Sequence, residues 1–179
     1  MNKVLYKFRN YKVSPETRIL IIGTFNPDIE ENRIDFFYSR PKNYLWRILP
    51  EVYGKESLKE STTERKVAFI ENYQIDFTDL IASVRHLSGK ANYSDSYLEK
   101  QELEWNKTEE LLKSLINLKL VLFTRRTFQG VPNLRNRFLF IQKECEKLKI
   151  VSRFVVTPTR HYSTKKLEEW KFAIFNKPI

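Results

Sequence analysis

Ile19-Leu20-Ile21-Ile22-Gly23-Thr24-Phe25-Asn26-Pro27 is the stretch from which the rest of the chain is read. Four apolar residues without alternation, set between Arg18 and Gly23, suit a strand covered on both faces, as in a parallel sheet. In open α/β sheets ligands bind in the crevice beyond the carboxyl ends of the strands, so a site is expected around Gly23 to Pro27. Pro27 keeps Asn26 extended and offers its amide on a stiff backbone. Taken alone, these five residues also describe an ordinary strand-ending turn.

Downstream, apolar character resumes in Phe36-Phe37-Tyr38-Ser39-Arg40-Pro41-Lys42-Asn43-Tyr44-Leu45-Trp46. Tyr44, Leu45, Ile48 and Leu49 recur at helical spacing until Pro50 and Gly54, and Trp46 is expected in the core. Ser61-Thr62-Thr63-Glu64 reads as a capping box for a helix presenting Val67, Ile70 and Tyr73. Ile75 to Ile81 is the second strand, with Asp76 and Asp79 among apolar neighbours. A carboxylate there requires a partner, and a helix-capping role and a ligand-reading role both fit. His86 to Asp95 is read as a surface loop. Residues 98–117 are expected to form one helix with Leu111, Leu112, Leu115 and Ile116 inward, followed by a strand at Leu118 to Phe123. Thr124-Arg125-Arg126 then sits at a strand carboxyl end, where two arginines suit phosphates or solvent equally. Pro132 opens a helix whose inward stripe runs through Leu134, Phe138, Ile141, Cys145 and Leu148. The last strand, Ile150 to Val156, runs into Thr157-Pro158-Thr159-Arg160-His161, and a final helix capped at Ser163 or Thr164 turns Leu167, Trp170 and Ile174 inward. Strands separated by helices imply parallel pairing with right-handed crossovers and a three-layer αβα domain.

The chain has 179 residues, a length that suits one domain spanning 1–179, with residues 1–16 a basic N-terminal segment carrying an edge strand at Val4 to Phe8 and no assigned function. An apolar content of 41% with 14% aromatics excludes a disordered chain, and the apolar runs are too short to span a membrane. No export signal is evident, so a cytoplasmic monomer is expected. One cysteine and two separated histidines disfavour a disulfide, structural zinc or a cluster, and no metal or cofactor is expected. Neither a Gly-x-Gly-x-x-Gly nor a phosphate-loop motif occurs, which argues against dinucleotides and nucleoside triphosphates. A formal charge of +10 favours a polyanionic partner.

Taken in order, these motifs resemble the uracil-DNA glycosylase superfamily, above all its mismatch-specific thymine/uracil branch and the hypoxanthine-DNA glycosylases. Members carry a strand ending in Gly-x-Asn-Pro or Gly-Ser-Phe-Pro, then about twenty residues on an aromatic, a Pro-x-Asn and an aromatic-Trp pair opening a helix. Asn26-Pro27 and Tyr38…Pro41-Lys42-Asn43-Tyr44-Leu45-Trp46 fall in that order, and Asp76 to Arg85 with Ser94-Asp95 and Val155 to Thr159 continue it. Thr157 and Thr159 depart from the usual His or Asn and Ser.

The resemblance implies a four-stranded parallel sheet of order 2-1-3-4 and a monofunctional glycosylase that flips a deaminated or mispaired base, such as uracil or hypoxanthine, out of DNA and hydrolyses its N-glycosidic bond in base excision repair. Asn26, Asn43 and Asp79 are then the catalytic candidates. Asn26 stands where the mismatch-specific enzymes hold water, or Phe25 does if the turn is aligned as in the hypoxanthine enzymes, which use the Asn matching Asn43. Phe25, Phe37, Tyr38, Thr157 and Thr159 would bind the base, with Tyr38, or Phe37 if the register slips, as the stacking ring. Arg125, Arg126, Arg160, His161 and Lys165 would meet DNA, with Arg160 and His161 as the wedge. Two other functions fit the same features: a non-catalytic DNA- or RNA-binding member of the fold, and an αβα enzyme acting on a small nucleoside or sugar phosphate.

Overall fold

The computed structural model describes residues 3–87 and 92–176. In chain order they form β1 (Lys3–Leu5), β2 (Ile19–Gly23), α1 (Leu45–Val52), α2 (Thr63–Tyr73), β3 (Ile75–Asp79), β4 (Ile81–Arg85), α3 (Asp95–Leu98), β5 (Glu102–Trp105), α4 (Thr108–Ser114), β6 (Leu120–Phe123), α5 (Pro132–Lys147), β7 (Val151–Phe154) and α6 (Thr164–Phe175).

The strand at Ile19 lies inside a parallel sheet ordered β3-β2-β6-β7. Its apolar run is continuous because both faces are covered. Ile21, with Phe77 and Leu122, meets the cluster built by α1, α2 and α6 around Trp46, Ile70 and Trp170. Leu20 and Ile22, with Val121 and Phe123, meet Leu112, Phe138 and Cys145 from α4 and α5. This gives the expected three layers, and counting only these four strands it gives the expected order 2-1-3-4. The β2–β3 register sets Gly23 opposite Asp79, so both strands finish at the same level.

A second sheet was not expected. β3 ends at Asp79, the chain turns at Leu80, and β4 leaves the parallel sheet to pair antiparallel with β1 and β5. The single helix expected over 98–117 is therefore replaced by the end of α3, by β5 and by the shorter α4. Glu102-Leu103-Glu104-Trp105 alternates polar and apolar, the period of a half-buried strand. Leu103 and Trp105 pack on Ile81 and Val84, an apolar face that needs covering. Ile116 points outward at 85% exposure, and Leu148, at the carboxyl end of α5, is also exposed. Thr62 precedes α2 without making a side-chain cap, so the expected capping box does not form.

The N-terminal segment is wired into the fold. The Tyr6 amide donates to the Ala82 carbonyl at 2.8 Å, while the Lys7 amide donates to the Asn26 carbonyl and the Asp28 amide to the Leu5 carbonyl, each at 2.8 Å. One segment thus bridges β4 and the Asn26-Pro27 turn. Farther along, buried Asp76 accepts from the Tyr11 hydroxyl at 2.7 Å and from the Ser14 and Phe77 amides at 2.8 Å. Burial pushes this carboxyl up while those donors pull it down, with burial the stronger. Asp76 is therefore an anchor for the segment. At the other end of the chain, Ser163 caps α6 by accepting from the Lys166 amide at 3.2 Å.

Candidate active site

Beyond the carboxyl ends of the parallel strands lies a cleft of about 500 Å³ bordered by Gly23 to Asn26, Tyr38, Arg40, Asn43, Asp79, Tyr93 and the segments following β6 and β7. Its floor is the Gly23–Asp79 step. A Cβ on Gly23 would collide with the Asp79 carboxylate and stand 2.9 Å from the Tyr38 hydroxyl, so only glycine lets these groups meet.

Asp79 is 1% exposed and accepts a 2.6 Å hydrogen bond from Asn26 Nδ2. An ionised carboxylate has no proton to donate, so Asn26 must present its amide NH2 and keep its carbonyl oxygen as a remaining acceptor. Burial pushes the Asp79 carboxyl up to about 6, against the Asn26 hydrogen bond and the charge of Arg40, which pull it down. The group is mostly ionised at neutral pH and gains its proton in mild acid.

Tyr38 takes the left-handed backbone conformation, with φ 56°, which turns its ring over Phe77 at 5.5 Å between centroids. Its hydroxyl lies 3.5 Å from Thr124 Oγ1. Burial and the neighbouring carboxylate push the phenol well above its ordinary range. Phe25, half-buried, lines the cleft together with Tyr93, their rings 6.0 Å apart. Asn43 is buried and its Oδ1 accepts from the Leu45 amide at 2.9 Å, fastening the turn into α1. The flanking loops are tied together, since the Tyr44 amide donates to the Pro158 carbonyl and the Arg160 amide to the Lys42 carbonyl, both at 2.9 Å. Thr157 and Thr159 direct their hydroxyls at each other across 3.0 Å.

Of the residues named from sequence, Phe25, Asn26, Tyr38, Asn43, Asp79, Thr157, Thr159, Arg125, Arg126 and Arg160 therefore border one cleft. Phe37 does not: it is fully buried, stacked on Phe77 at 5.4 Å and packed on Phe8 at 4.2 Å. The left-handed turn at the next residue sends ring 38 to the cleft and ring 37 to the core. His161 and Lys165 are exposed and lie outside the cleft lining. The neighbouring Lys166 is buried instead, and its ammonium donates to the Thr159 and His161 carbonyls at 2.8 and 2.9 Å. Arg125 is paired with Asp95 and also donates to the Thr127 carbonyl, and Arg126 is paired with Glu169 at 2.6 Å. Both charges are thus partly answered within the protein.

Of the residues lining the cleft, sequence reasoning passed over Arg40, Thr124 and Tyr93; Tyr6 is outside the lining. Arg40 sits within the motif-bearing stretch and was legible there. Tyr6 comes from the N-terminal segment and has a buried hydroxyl without a partner among the described residues. The surface loop read at His86 to Asp95 falls partly on residues 88–91, which lie outside the described residues. At its edges His86 bonds the hydroxyls of Tyr97 and, at 3.1 Å, Tyr93, which fixes the cleft-side ring.

No protein-family model and no curated protein matches this chain. Among solved structures, the solution NMR structure of a candidate uracil DNA glycosylase from Methanosarcina acetivorans matches it with a TM-score of 0.61, at 20% identity, over 89% of each chain. The similarity is one of backbone architecture, and on it this chain shares the mixed α/β fold of that protein, with a four-stranded parallel sheet flanked by helices.

Proposed function

We propose that the protein is a DNA glycosylase that releases a deaminated or mispaired base by hydrolysis. The observation that carries the reading is the Asn26–Asp79 pair, a buried carboxylate bonded to an amide on the floor of a cleft walled by Tyr38 and Phe25. The fold shared with a candidate uracil DNA glycosylase supports it.

Breaking an N-glycosidic bond leaves negative charge on the base and positive charge on the sugar, so fixed dipoles and a placed water matter more than a strong base. Asp79 holds the Asn26 amide in one orientation, and the free amide oxygen can accept a hydrogen bond from the attacking water. The ionised carboxylate stabilises the cationic sugar and can take the proton the water gives up as its oxygen bonds to the anomeric carbon. Tyr38 and Phe25 supply faces for an extruded base, whose unstacking costs roughly a few kcal/mol. Asn43 is committed to the turn before α1, which favours Asn26 as the residue that meets water.

Duplex oligonucleotides, each with one uracil, hypoxanthine, xanthine or mismatched thymine, are to be incubated with the protein and cleaved with alkali at abasic sites. Strand scission on at least one substrate is expected, with its loss in Asn26→Ala and retention of the fold. Asn43→Ala should instead mainly lower the melting temperature. Binding of an abasic duplex without release of any base would identify a non-catalytic binder, and turnover of free nucleosides alone would identify a small-molecule enzyme. A dead but stably folded Asn43→Ala beside a fully active Asn26→Ala would move the water to Asn43.

A further inference from the structure

A second and larger concavity, about 1050 Å³, adjoins the cleft and shares Arg40 and Tyr93 with it. Pro27, Ile29, Ile34 and Pro41 give it an apolar bed, and Arg33, Arg40 and Lys42 line it with positive charge. None of these three side chains forms an ion pair or a hydrogen bond among the described residues, whereas Arg125 and Arg126 pair with Asp95 and Glu169. Of the two carboxylates in the groove, Asp35 accepts from the Thr63 hydroxyl at 2.5 Å and is further steadied by the Lys66 charge. That leaves Glu31 as the one carboxylate lining the groove with no partner among the described residues.

Unpaired cations over an apolar bed are what a single nucleic-acid strand requires: charge for the phosphates and nonpolar surface for unstacked bases. A duplex offers its bases already stacked and would leave that bed uncovered. The groove also continues directly from the place where an extruded nucleotide would sit. We infer that this groove, lined by Arg33, Arg40 and Lys42, seats the unpaired nucleotides that flank the extruded one on the same DNA strand. The inference rests on the glycosylase reading for its choice of occupant. It replaces Arg125 and Arg126 with Arg33 and Lys42 as the principal phosphate contacts, with Arg40 at the junction of groove and cleft.

The test is the salt dependence of binding to a fluorescent single strand of about 20 nucleotides, longer than the ~4–16 that single-strand-binding folds cover, followed by anisotropy. Each phosphate contact contributes about 0.7 to the slope of log K against log salt on a single strand. Arg33→Ala with Lys42→Ala should therefore flatten the slope by about one and a half, while Arg125→Ala with Arg126→Ala leaves it near the parent value. Glu31→Gln, which removes the opposing charge, should tighten binding about two- to fivefold at low salt. Thermal melts of each variant verify the fold. An unchanged slope in the Arg33/Lys42 variant, a slope lost only in the Arg125/Arg126 variant, or no strand binding by the parent protein would overturn the inference. Tighter binding of the same sequence as RNA would overturn the choice of DNA. A flattened slope in a protein that releases no base from any duplex would keep the groove and sink the glycosylase reading, so the two fail separately.

Discussion

Asp79 gathers the residue-scale physics. A carboxyl raised from the ordinary 3.8 to about 6 is bound to its proton more tightly in the folded state than in the unfolded one. The folded protein therefore loses stability as pH rises between these values, and above about 6 ionised Asp79 costs roughly 3 kcal/mol. Asp79→Asn keeps the shape and still accepts from Asn26, but removes the buried charge. It should raise the melting temperature at pH 8, with the gain vanishing near pH 3, where the parent carboxyl is protonated in both states. Base release should rise in the parent protein as pH increases through about 6 and should fall to background in Asp79→Asn at every pH. A variant that is destabilised at pH 8, or a parent activity flat from pH 5 to 8, would remove Asp79 from this role. Gly23 serves the same arrangement by omission, because any side chain there would displace the carboxylate.

At the scale of elements, the site depends on loops held by distant segments. The Leu5-to-Lys7 stretch, at the end of β1 and just beyond it, grips the Asn26-Pro27 turn through backbone hydrogen bonds, and α6 holds the Thr157-to-His161 loop through the buried ammonium of Lys166. Burial lowers the pKa of that ammonium, and its two carbonyl partners justify keeping the charge inside. Lys166→Met fills similar volume but leaves the His161 carbonyl without a donor and the Thr159 carbonyl with only the His161 amide at 3.1 Å, which should cost about 1–3 kcal/mol. Differential scanning calorimetry checks the cost. Hydrogen exchange at Arg160 and His161 should quicken, and if only global stability fell while these amides stayed protected, Lys166 would not be the clamp.

On the scale of the whole molecule, the two sheets are continuous through the chain at Leu80, and the second packs its apolar face against Val131 and Leu134 at the start of α5. We propose that residues 1–179 unfold as one unit. Trp46 and Trp170 report on one face of the parallel sheet, while Trp105 lies on β5. Denaturation of the parent protein and of Trp105→Phe, followed by tryptophan fluorescence and far-ultraviolet circular dichroism, should give coincident transitions. An earlier step seen only with Trp105 present would mean that the second sheet melts independently.

The sequence by itself determined those features in which a local pattern has a single physical outlet. An unbroken apolar run must be covered on both faces, which placed β2 inside a sheet, and alternating strands and helices led to parallel pairing and three layers, while the order of the four strands came only from the family resemblance. The Gly23-to-Asn26 turn and Asp79 were legible because a polar group at the end of a buried strand needs a partner. Tertiary structure alone decided that the partner of Asp79 is Asn26, since that bond joins residues 53 apart and depends on the register between β2 and β3. It also decided which ring of the Phe37-Tyr38 pair faces the cleft, because one left-handed residue reverses side-chain direction without leaving an apolar signature. The second sheet was hidden for a related reason. Four residues of alternating Glu, Leu, Glu and Trp within a charged stretch satisfy a helical pattern as well as a strand, and the choice falls to whichever apolar face elsewhere in the fold is left uncovered.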